Sequence, residues 1–490
     1  MIRRLNEEVR ASLPADVAGP SYDRQQPAGI VHIGIGAFHR GHQAVYFDQL
    51  MANGEAGWMI RGVSLRSAAV SRQLNPQDGL YTLVMRDDEA ETTTVIGSIR
   101  DVLVAPEDPA AVIAALSSAD TQLVTLTVTE KGYCLDSATG RLNLAHRDIR
   151  DDLASPNAPR TAPGFLVAGL KARRAAGLEP FTVLSCDNLF HNGAVTRRAV
   201  LDLAERLDPD LAGWIARRGA FPSSMVDRIV PATTGEDITQ LEKTQGYRDE
   251  TMVKTEPFTQ WVVEDSFCAR RPPLETVGVQ MTNDVSGWEK AKLRMLNGAH
   301  SAMAYLGSLA GHAYIHDAIH GEGFEVLVNR LWDETQETLD QADGFDPSQY
   351  RAELLARFRN SSLRHRTYQI AMDGSQKLPP RLVAPILERA ARGLRSPAMI
   401  LAVAAWMRWQ SGVDESGEAF EVQDPLAART RAIVDAYSGD TAAIVKGLLA
   451  IGEIFDPRFG KDESIKANLV AALTSLMSNG AAKTVLDAAK

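Results

Sequence analysis

The sequence is poor in the residues that build disulfide frameworks, metal clusters and membrane spans. Three cysteines occur in 490 residues, and Cys134, Cys186 and Cys268 lie far apart. This spacing excludes a disulfide scaffold and a cysteine-based zinc site, and it is typical of a reducing cytosol. No run reaches the roughly 18 consecutive apolar residues of a membrane helix. The N-terminal stretch MIRRLNEE has acids where a signal peptide needs an apolar segment, so we expect a cytoplasmic protein.

An excess of positive charge is also missing. The 62 acidic residues outnumber the 52 basic ones, and the net charge is -10, whereas nucleic-acid binding needs a basic surface. We therefore expect no nucleic-acid partner and no membrane partner. Small molecules are the expected substrates, including anionic ones bound in a local basic pocket. The chain is too long for one ordinary core, and we expect a monomer or small homo-oligomer of multi-domain subunits.

Hydrophobic patterning divides the chain into two parts. Before residue 285, short β-rich runs alternate with helical periods, a pattern typical of a mostly parallel, doubly wound sheet. From Trp288 onward, helical periods dominate. The sequence thus predicts an α/β protein in which 1–285 form a Rossmann-type dinucleotide-binding domain. The remaining residues, 286–490, are predicted to form a mostly α-helical domain that holds substrate and catalytic groups.

A glycine turn early in the chain is the first candidate site. Gly34 and Gly36 follow a β-rich run and precede a helical period, as a dinucleotide-binding turn requires, although His39 replaces the third glycine. A turn without a ligand is the alternative. The second strand ends without an acid for the ribose of NAD, and Arg66 there suits a 2′-phosphate or stacks on adenine. NAD is the expected cofactor, NADP stays open, and the expected contacts are Gly34, Ile35, Gly36, Ala37, Phe38, His39, Arg40 and Arg66.

The second candidate site opens the helical part. The apolar period from Trp288 to Leu309 predicts one long helix. On it, Glu289, Lys292 and His300 fall within about 80° of one another, with Asn297 at the edge of the arc. A lysine on a buried helix face loses hydration, which lowers its pKa and suits it to proton transfer. The alternative is a solvated face of ordinary surface charges.

Three further stretches place polar groups within apolar surroundings. Asn188 ends a buried strand, where its amide either donates to a developing alkoxide or makes an Asx turn. Asp227 and Arg228 form either a buried ion pair or a substrate contact. The cation-dense stretch 361–381 is either a surface loop or a grip for a carboxylate or phosphate, made by Arg364, His365, Arg366 and Lys377.

Motifs for other chemistry are weak or missing. His316 and His320 have the helical spacing of metal ligands but no third ligand accompanies them, so we predict no metal site. The sequence contains neither a Gly-x-Ser-x-Gly elbow nor a Walker glycine loop, and hydrolase and kinase functions are therefore unsupported.

Several separated motifs resemble those of one family, the mannitol dehydrogenase family of polyol-specific long-chain dehydrogenases. They are IVHIGIGAFHRGHQA from Ile30, TVTEKGY from Thr127, SCDN from Ser185, MVDRI from Met225, EPFTQWV from Glu256 and KLRMLNGAH from Lys292. The resemblance implies a metal-independent enzyme. Such an enzyme moves hydride between a nicotinamide cofactor and a secondary alcohol or ketone of an open-chain sugar derivative.

The same resemblance implies roles for individual residues. Lys292 is the expected general acid and base. Asn188 and Asn297 are the expected neutral donors to the oxyanion, and His300 orients the substrate. Glu130 and Glu289 match carboxylates near the lysine that serve proton exit. Asp227 and Lys377 match substrate-contacting positions, to which the cation-dense stretch adds Arg364 and His365.

Within the family, the motifs divide between two substrates. Lys131 and the stretch from Leu363 to Arg381 resemble the fructuronate reductase (D-mannonate oxidoreductase) branch. The mannitol 2-dehydrogenase branch is expected to have glycine in place of Lys131 and arginine in place of Gln369, but HNGAVTR from His191 resembles that branch. Reduction of D-fructuronate to D-mannonate is predicted, with D-mannitol to D-fructose as the alternative. A non-catalytic nucleotide-binding protein on the same fold is a third hypothesis, whose mark would be loss of the lysine or asparagines.

Overall fold

The computed structural model describes residues 3–136 and 139–490. The chain divides into two compact units between Ser286 and Gly287. The first unit is α/β and contains a parallel sheet, and the second is built from helices. The predicted fold class, a Rossmann-type part followed by a mostly helical part, is confirmed.

All thirteen strands found in the described part of the chain belong to the first unit. In chain order, β1 to β13 are Arg3–Arg4, Ile30–Ile33, Ile60–Ser64, Tyr81–Arg86, Glu91–Ile96, Ile99–Val104, Leu123–Leu126, Thr182–Ser185, Ser224–Asp227, Tyr247–Arg248, Val253–Thr255, Gln260–Glu264 and Gln280–Thr282.

Five of these strands form one parallel sheet in the order β6-β3-β2-β7-β8. Every residue of β2, β7 and β8 is buried, as expected for strands covered on both faces. The central strand β2 is followed along the chain by β3 on one side, whereas β7 pairs with its other side. This change of direction is the topological switch point, and ligands of doubly wound sheets bind beside it, outside the carboxyl ends of the strands.

Three smaller sheets complete the first unit. β4 and β5 form an antiparallel hairpin, to which β11 adds in parallel. β12 pairs with β9 in the antiparallel and with β13 in the parallel sense, and β1 pairs with β10. Asp227, at the end of β9, lies opposite Gln260 in this register.

Helices cover the rest of both units. In chain order, α1 to α24 are Glu7–Arg10, Ala37–Gly41, Gln43–Ala52, Ala69–Leu74, Pro109–Ser117, Arg147–Ala154, Ala162–Ala175, Asn192–Leu207, Pro209–Arg218, Gly235–Gln245, Ser286–Ala291, Asn297–Leu309, Ile315–His320, Phe324–Gln336, Pro347–Arg359, Thr367–Ala371, Gly374–Leu378, Ala384–Ala390, Pro397–Trp409, Ala427–Ala436, Thr441–Leu449, Pro457–Lys461, Glu463–Asn479 and Ala481–Ala489. None of the helices within 3–136 and 139–490 is both long and apolar enough to cross a membrane.

The segment from Trp288 to Leu309 is helical throughout, but one turn of it is not α-helical. Lys292–Leu296, between α11 and α12, is a π-helical turn, in which the amide of Asn297 donates to the carbonyl of Lys292. The prediction of a regular α-helical period was therefore wrong in this turn. Because a π turn holds one extra residue, it rotates the side chains that follow by about 100° relative to an uninterrupted α-helix.

A second π-helical turn, Pro379–Val383, joins α17 to α18. Pro379 and Pro380 lack an amide hydrogen, so the α-helical ladder loses two donors at this point and the wider turn replaces it. The two π turns pack against each other within the second unit. This contact links the segment that contains Lys292 to the segment that contains Lys377 and Arg381.

Candidate active site

The turn after β2 requires glycine at its first position. Gly34 has a φ of 102°, and a Cβ atom there would lie 2.1 Å from the carbonyl oxygen of Thr127. Thr127 follows the neighbouring strand β7, and its hydroxyl donates to the carbonyl of Gly34 over 2.7 Å. The end of β2 is thus held against the end of β7 at the switch point of the sheet.

The second glycine of the turn opens onto free space. Gly36 is exposed, and the nearest atom to a Cβ placed on it is the Gly34 carbonyl oxygen, at 3.8 Å. Ala37 begins α2 directly after it. A glycine with open space at a helix N-terminus lets a pyrophosphate approach the backbone amides closely. The geometry of this turn therefore fits a dinucleotide.

The residues that follow the turn point into the protein core. His39, in the place of the third glycine, is completely buried and stacks on His32 with ring centroids 3.4 Å apart. Burial lowers the pKa of His32 to about 3 and holds the pKa of His39 well below its ordinary value, so both rings are neutral. Arg40 is also buried and donates to the carbonyl of Ile35 over 3.2 Å. These side chains support the turn from beneath.

Two of the predicted cofactor contacts lie at the edges of this region. Phe38 is half-buried and stacks on His42, with ring centroids 5.1 Å apart. Arg66 follows the end of β3 and is exposed. Its guanidinium therefore lies at the carboxyl edge of the sheet, where the adenosine part of a dinucleotide is expected.

A strained backbone turn follows β7. Thr129 has φ 64° and ψ 168°, a conformation that is essentially restricted to glycine. The Asp187 carboxylate accepts hydrogen bonds from the amides of Val128, at 3.1 Å, and Thr129, at 2.8 Å. It also accepts one from the Tyr133 hydroxyl at 2.6 Å. Burial nevertheless raises the pKa of Asp187 above its ordinary value.

Glu130 and Asn188 lie next to the two residues, Thr129 and Asp187, that form this hydrogen-bonded turn. Glu130 comes directly after Thr129, and Asn188 comes directly after Asp187; both side chains are exposed. β7 and β8 are adjacent parallel strands, and the Cys186 amide donates to the carbonyl of Leu126 over 2.8 Å. The first unit therefore brings Glu130 and Asn188 to the same edge of the sheet as the glycine turn.

Asp227 ends β9 and is buried. Its neighbour Arg228 donates to the backbone carbonyls of Gly41, at 2.7 Å, and Glu256, at 3.1 and 3.2 Å. The guanidinium of Arg228 thus fastens β9 to the segments around α2 and β11. This arrangement gives Arg228 a structural role and leaves Asp227 at the end of a rigid strand.

In the second unit, the π turn decides which side chains share a helix face. In a regular α-helix, Asn297 and His300 would be rotated from Lys292 by about 140° and 80°. The extra residue of the π turn reduces these angles to about 40° and 20°. Lys292, Asn297 and His300 therefore lie on one face. Glu289 precedes the turn and is buried.

His300 lies among aromatic rings and cations. Its ring centroid is 4.8 Å from that of Phe358 and 5.3 Å from that of His365. Burial, followed by electrostatic interactions with His365, Arg357, Arg381 and Lys377, holds the pKa of His300 well below its ordinary value. Burial likewise lowers the pKa of His365 to about 4. Both rings are therefore neutral near pH 7, where an imidazole both donates and accepts hydrogen bonds.

The cation-dense stretch is divided between surface and interior. Arg364 is exposed and has a φ of 42°, and Arg366 lies over the ring of Tyr314, 5.6 Å from its centroid. Lys377 is half-buried and donates to the carbonyl of Ile370 over 3.1 Å. Burial, with the neighbouring charge of Arg381, lowers the pKa of Lys377 to about 8.

The structure offers no cluster of metal ligands within the part of the chain that it describes. There, no group of three or more histidine, cysteine, aspartate or glutamate side chains could hold a metal ion. His320, one of the two histidines with metal-ligand spacing, uses its Nδ1 atom in a 2.7 Å hydrogen bond with the carbonyl of His316.

Two residues make contacts near the candidate site that the sequence did not indicate. Asp187, in the SCDN motif, holds the turn before Glu130. Arg381 donates to the carbonyl of Asn297, at 3.4 Å, and to the hydroxyl of Ser301, at 3.1 Å. The sequence indicated these two residues only by position, since Asp187 precedes Asn188 and Arg381 lies four residues after Lys377. The residue pattern does not indicate which groups they contact.

Comparisons with known proteins cover both units. Residues 28–276 match the mannitol dehydrogenase Rossmann domain, and residues 284–477 match the mannitol dehydrogenase C-terminal domain. The chain is 42% identical over 489 residues to an uncharacterised oxidoreductase of Escherichia coli strain K12, YeiQ, covering 99% of this chain and 100% of that protein.

Two further relatives have defined names. D-mannonate oxidoreductase of Escherichia coli strain K12 is 42% identical over 483 residues, which cover 97% of this chain and 99% of that protein. Mannitol 2-dehydrogenase of Pseudomonas fluorescens, solved as a ternary complex with NAD and D-mannitol, is 39% identical, with a TM-score of 0.85 and 99% of each chain covered. The predicted family and the prediction of an oxidoreductase are confirmed: the chain belongs to the mannitol dehydrogenase family.

Proposed function

We propose that this protein is an NAD-dependent secondary-alcohol dehydrogenase and ketone reductase that interconverts D-fructuronate and D-mannonate. The observation that carries the proposal is the π turn, because it places Lys292, Asn297 and His300 on one helix face. These are the residues to which the family motif assigns proton transfer, oxyanion stabilisation and substrate orientation. A sugar acid as substrate is supported by the relative named D-mannonate oxidoreductase and by the motif around Lys377.

NAD is the cofactor, as in the solved Pseudomonas relative. The open space over Gly36 and the amides at the start of α2 suit its pyrophosphate. When bound, NAD⁺ would accept a hydride in the oxidation, and NADH would supply one in the reduction. Arg66, exposed after β3, stacks on the adenine or accepts the 2′-phosphate of NADP.

The proton chemistry is assigned to the residues that match the family motifs. In the oxidation, Lys292 accepts the proton of the hydroxyl group as the hydride leaves the same carbon, and in the reduction it returns a proton to that oxygen. The amides of Asn188 and Asn297 donate hydrogen bonds to the oxygen, which carries developing negative charge. His300 is neutral and orients the hydroxyl. Glu130 and Glu289 pass the proton from Lys292 toward solvent.

Substrate contacts away from the reacting carbon are assigned to the remaining predicted residues. Asp227, at the end of β9, accepts hydrogen bonds from hydroxyl groups. Lys377 and His365, near His300 in the second unit, bind the acidic end of the sugar chain. Arg364 is exposed and contributes positive charge at longer range.

Oxidation of D-mannitol to D-fructose is the second candidate function. It is favoured by the HNGAVTR stretch at the start of α8, which resembles the mannitol 2-dehydrogenase branch, and by the Pseudomonas relative that was solved with D-mannitol. The two candidates share the same proton and hydride chemistry. They differ in whether the far end of the substrate is a carboxylate or a hydroxymethyl group.

Steady-state kinetics with the purified protein tests the proposal. D-fructuronate and D-fructose are compared in reduction, D-mannonate and D-mannitol in oxidation, each with NAD(H) and with NADP(H). We expect the highest kcat/KM for D-fructuronate with NADH. Good turnover of D-mannitol and D-fructose without turnover of the two sugar acids would replace the first candidate by the second.

A further inference from the structure

Lys377 and Arg381 form a pair of cations on the helical segment that runs from α17 into the second π turn. They are four residues apart, so their side chains leave the same side of the segment. Arg381 is largely withdrawn from water, and burial lowers its pKa to about 10. Arg357 adds a third positive charge, which acts on both His300 and His365. A protein with a net charge of -10 thus concentrates cations at one interior place.

The charges of Lys377 and Arg381 are not neutralised by direct ion pairs. Among residues 3–136 and 139–490, no carboxylate oxygen lies within 4.0 Å of either side chain. Asp373 and Asp424 raise the pKa of Lys377 without forming a direct ion pair with it. Asp424 is already engaged, since its two carboxylate oxygens accept from the amides of Ser375 and Leu426, at 2.7 and 2.8 Å.

Partly buried cations without an anion are costly, because protein groups replace their hydration only incompletely. Two such cations at neighbouring positions are typical of a binding site in which the ligand itself supplies the negative charge. The hydrogen bonds that are already made show which edge remains available. Arg381 uses its Nη1 atom for the Asn297 carbonyl and the Ser301 hydroxyl, which leaves the Nε–Nη2 edge, a geometry that matches a carboxylate bidentately.

We propose that Lys377 and Arg381 together bind the substrate carboxylate and thereby select sugar acids over neutral sugars. This inference rests on the proposed function and specifies the part of the substrate that decides it. Arg381 then performs two tasks, because one end of its guanidinium holds the backbone of Asn297 and the other holds the carboxylate. The contact couples the acidic end of the substrate to the helix that contains Lys292.

The test uses two substrates that differ only at the far end of the carbon chain. D-fructuronate carries a carboxylate where D-fructose carries a hydroxymethyl group, so the ratio of their kcat/KM values isolates the contribution of the charge. Lys377→Met and Arg381→Gln are each expected to lower this ratio about 10- to 100-fold, as befits the loss of a hydrogen bond to a charged group. Arg381→Lys keeps the positive charge but loses the paired N–H donors of the guanidinium. Its ratio of kcat/KM values is expected to lie between those of wild type and Arg381→Gln.

Arg395→Gln is the matched control, because Arg395 is exposed and lies outside this cluster; its ratio should equal that of wild type. A binding measurement supplements the kinetics. With NAD present, D-mannonate should raise the thermal unfolding temperature of wild type more than the same concentration of D-mannitol. This difference should vanish in Lys377→Met.

The outcomes separate the two proposals. If wild type reduces D-fructose but not D-fructuronate, the proposed function is overturned, and the carboxylate site is overturned with it. If wild type reduces D-fructuronate but both Lys377→Met and Arg381→Gln keep the wild-type ratio, only the carboxylate site is overturned. A lowered ratio in either variant, with an unchanged ratio in Arg395→Gln, supports it.

Discussion

The two units position their polar groups by different physical means. In the first unit, Glu130 and Asn188 stand at strand ends, and one buried carboxylate, that of Asp187, holds the strained backbone of Thr129 between them. In the second unit, Lys292 and Asn297 are placed by the number of residues in a helical turn. The comparison teaches that a buried, hydrogen-bonded carboxylate supports the backbone beside Glu130 and Asn188, whereas helix register sets the positions of Lys292 and Asn297.

The largest effect is expected at Lys292, the first residue of the π turn and the proposed proton-transfer group. Lys292→Met should lower kcat about 10³-fold while leaving NAD binding unchanged, because it removes the proposed general acid and base. Lys290→Met is the control, since Lys290 pairs with Asp340 at 3.0 Å and such peripheral pairs contribute about 0–1 kcal/mol. Stopped-flow or steady-state rates and NADH titration check both. Full turnover in Lys292→Met would remove this lysine from the mechanism.

The glycine turn offers a comparison within the first unit. Gly36→Ala should raise the dissociation constant for NADH about tenfold or more without lowering stability, since the added methyl group comes no closer than 3.8 Å to a protein atom but blocks the pyrophosphate. Gly34→Ala should lower stability by roughly 1–3 kcal/mol, because its φ of 102° is unfavourable for alanine. Fluorescence titration and thermal unfolding separate these effects. Unchanged NADH affinity in Gly36→Ala would argue for a turn without a ligand.

The role of the Asp187 carboxylate is tested by comparison with Asp152, a second carboxylate that accepts hydrogen bonds from backbone amides. Asp187→Asn should lower kcat about tenfold and also reduce stability, because its bonds to the Val128 and Thr129 amides weaken. Asp152 accepts hydrogen bonds from the amides of Arg160 and Thr161, at 2.6 and 3.2 Å, elsewhere in the first unit. Asp152→Asn should therefore lose about 1–3 kcal/mol of stability with kcat preserved. Equal loss of kcat in both variants would mean that Asp187 acts only through stability.

The smallest effect concerns the charge of Lys377. Its pKa is lowered to about 8, so Lys377 is charged below pH 8 and loses its proton as the pH rises through this value. The kcat/KM for D-fructuronate should fall roughly fivefold between pH 8 and pH 9, in proportion to the protonated fraction. The profile for D-fructose should stay level by comparison, and Lys377→Met should abolish the difference. Parallel profiles for the two substrates in wild type would contradict this assignment.

The sequence predicted the fold class from local patterns. Alternating β-rich and helical segments before residue 285 indicated the parallel sheet, and the glycine turn was recognised because turn chemistry is a local property. The position of this turn at the switch point depends on the strand order of the sheet, which is a tertiary property. The π turn could not be predicted from hydrophobic period, since apolar residues at helical spacing are compatible with one inserted residue. A regular α-helix would put Asn297 at the edge of the arc, whereas the π turn brings it onto the same face as Lys292 and His300.

The amino-acid sequence by itself determined the division into a sheet part and a helical part and the family, and it supplied the residues that are proposed for the chemistry. Only the tertiary structure decided how some of them are arranged: which carboxylate holds Thr129, which cation stands beside Lys377, and which histidines are kept neutral. The physical reason is that pattern and propensity act over a few residues. Hydrogen bonds, burial and charge proximity instead join positions that are far apart along the chain, as Asp187 joins Thr129 and Arg381 joins Asn297.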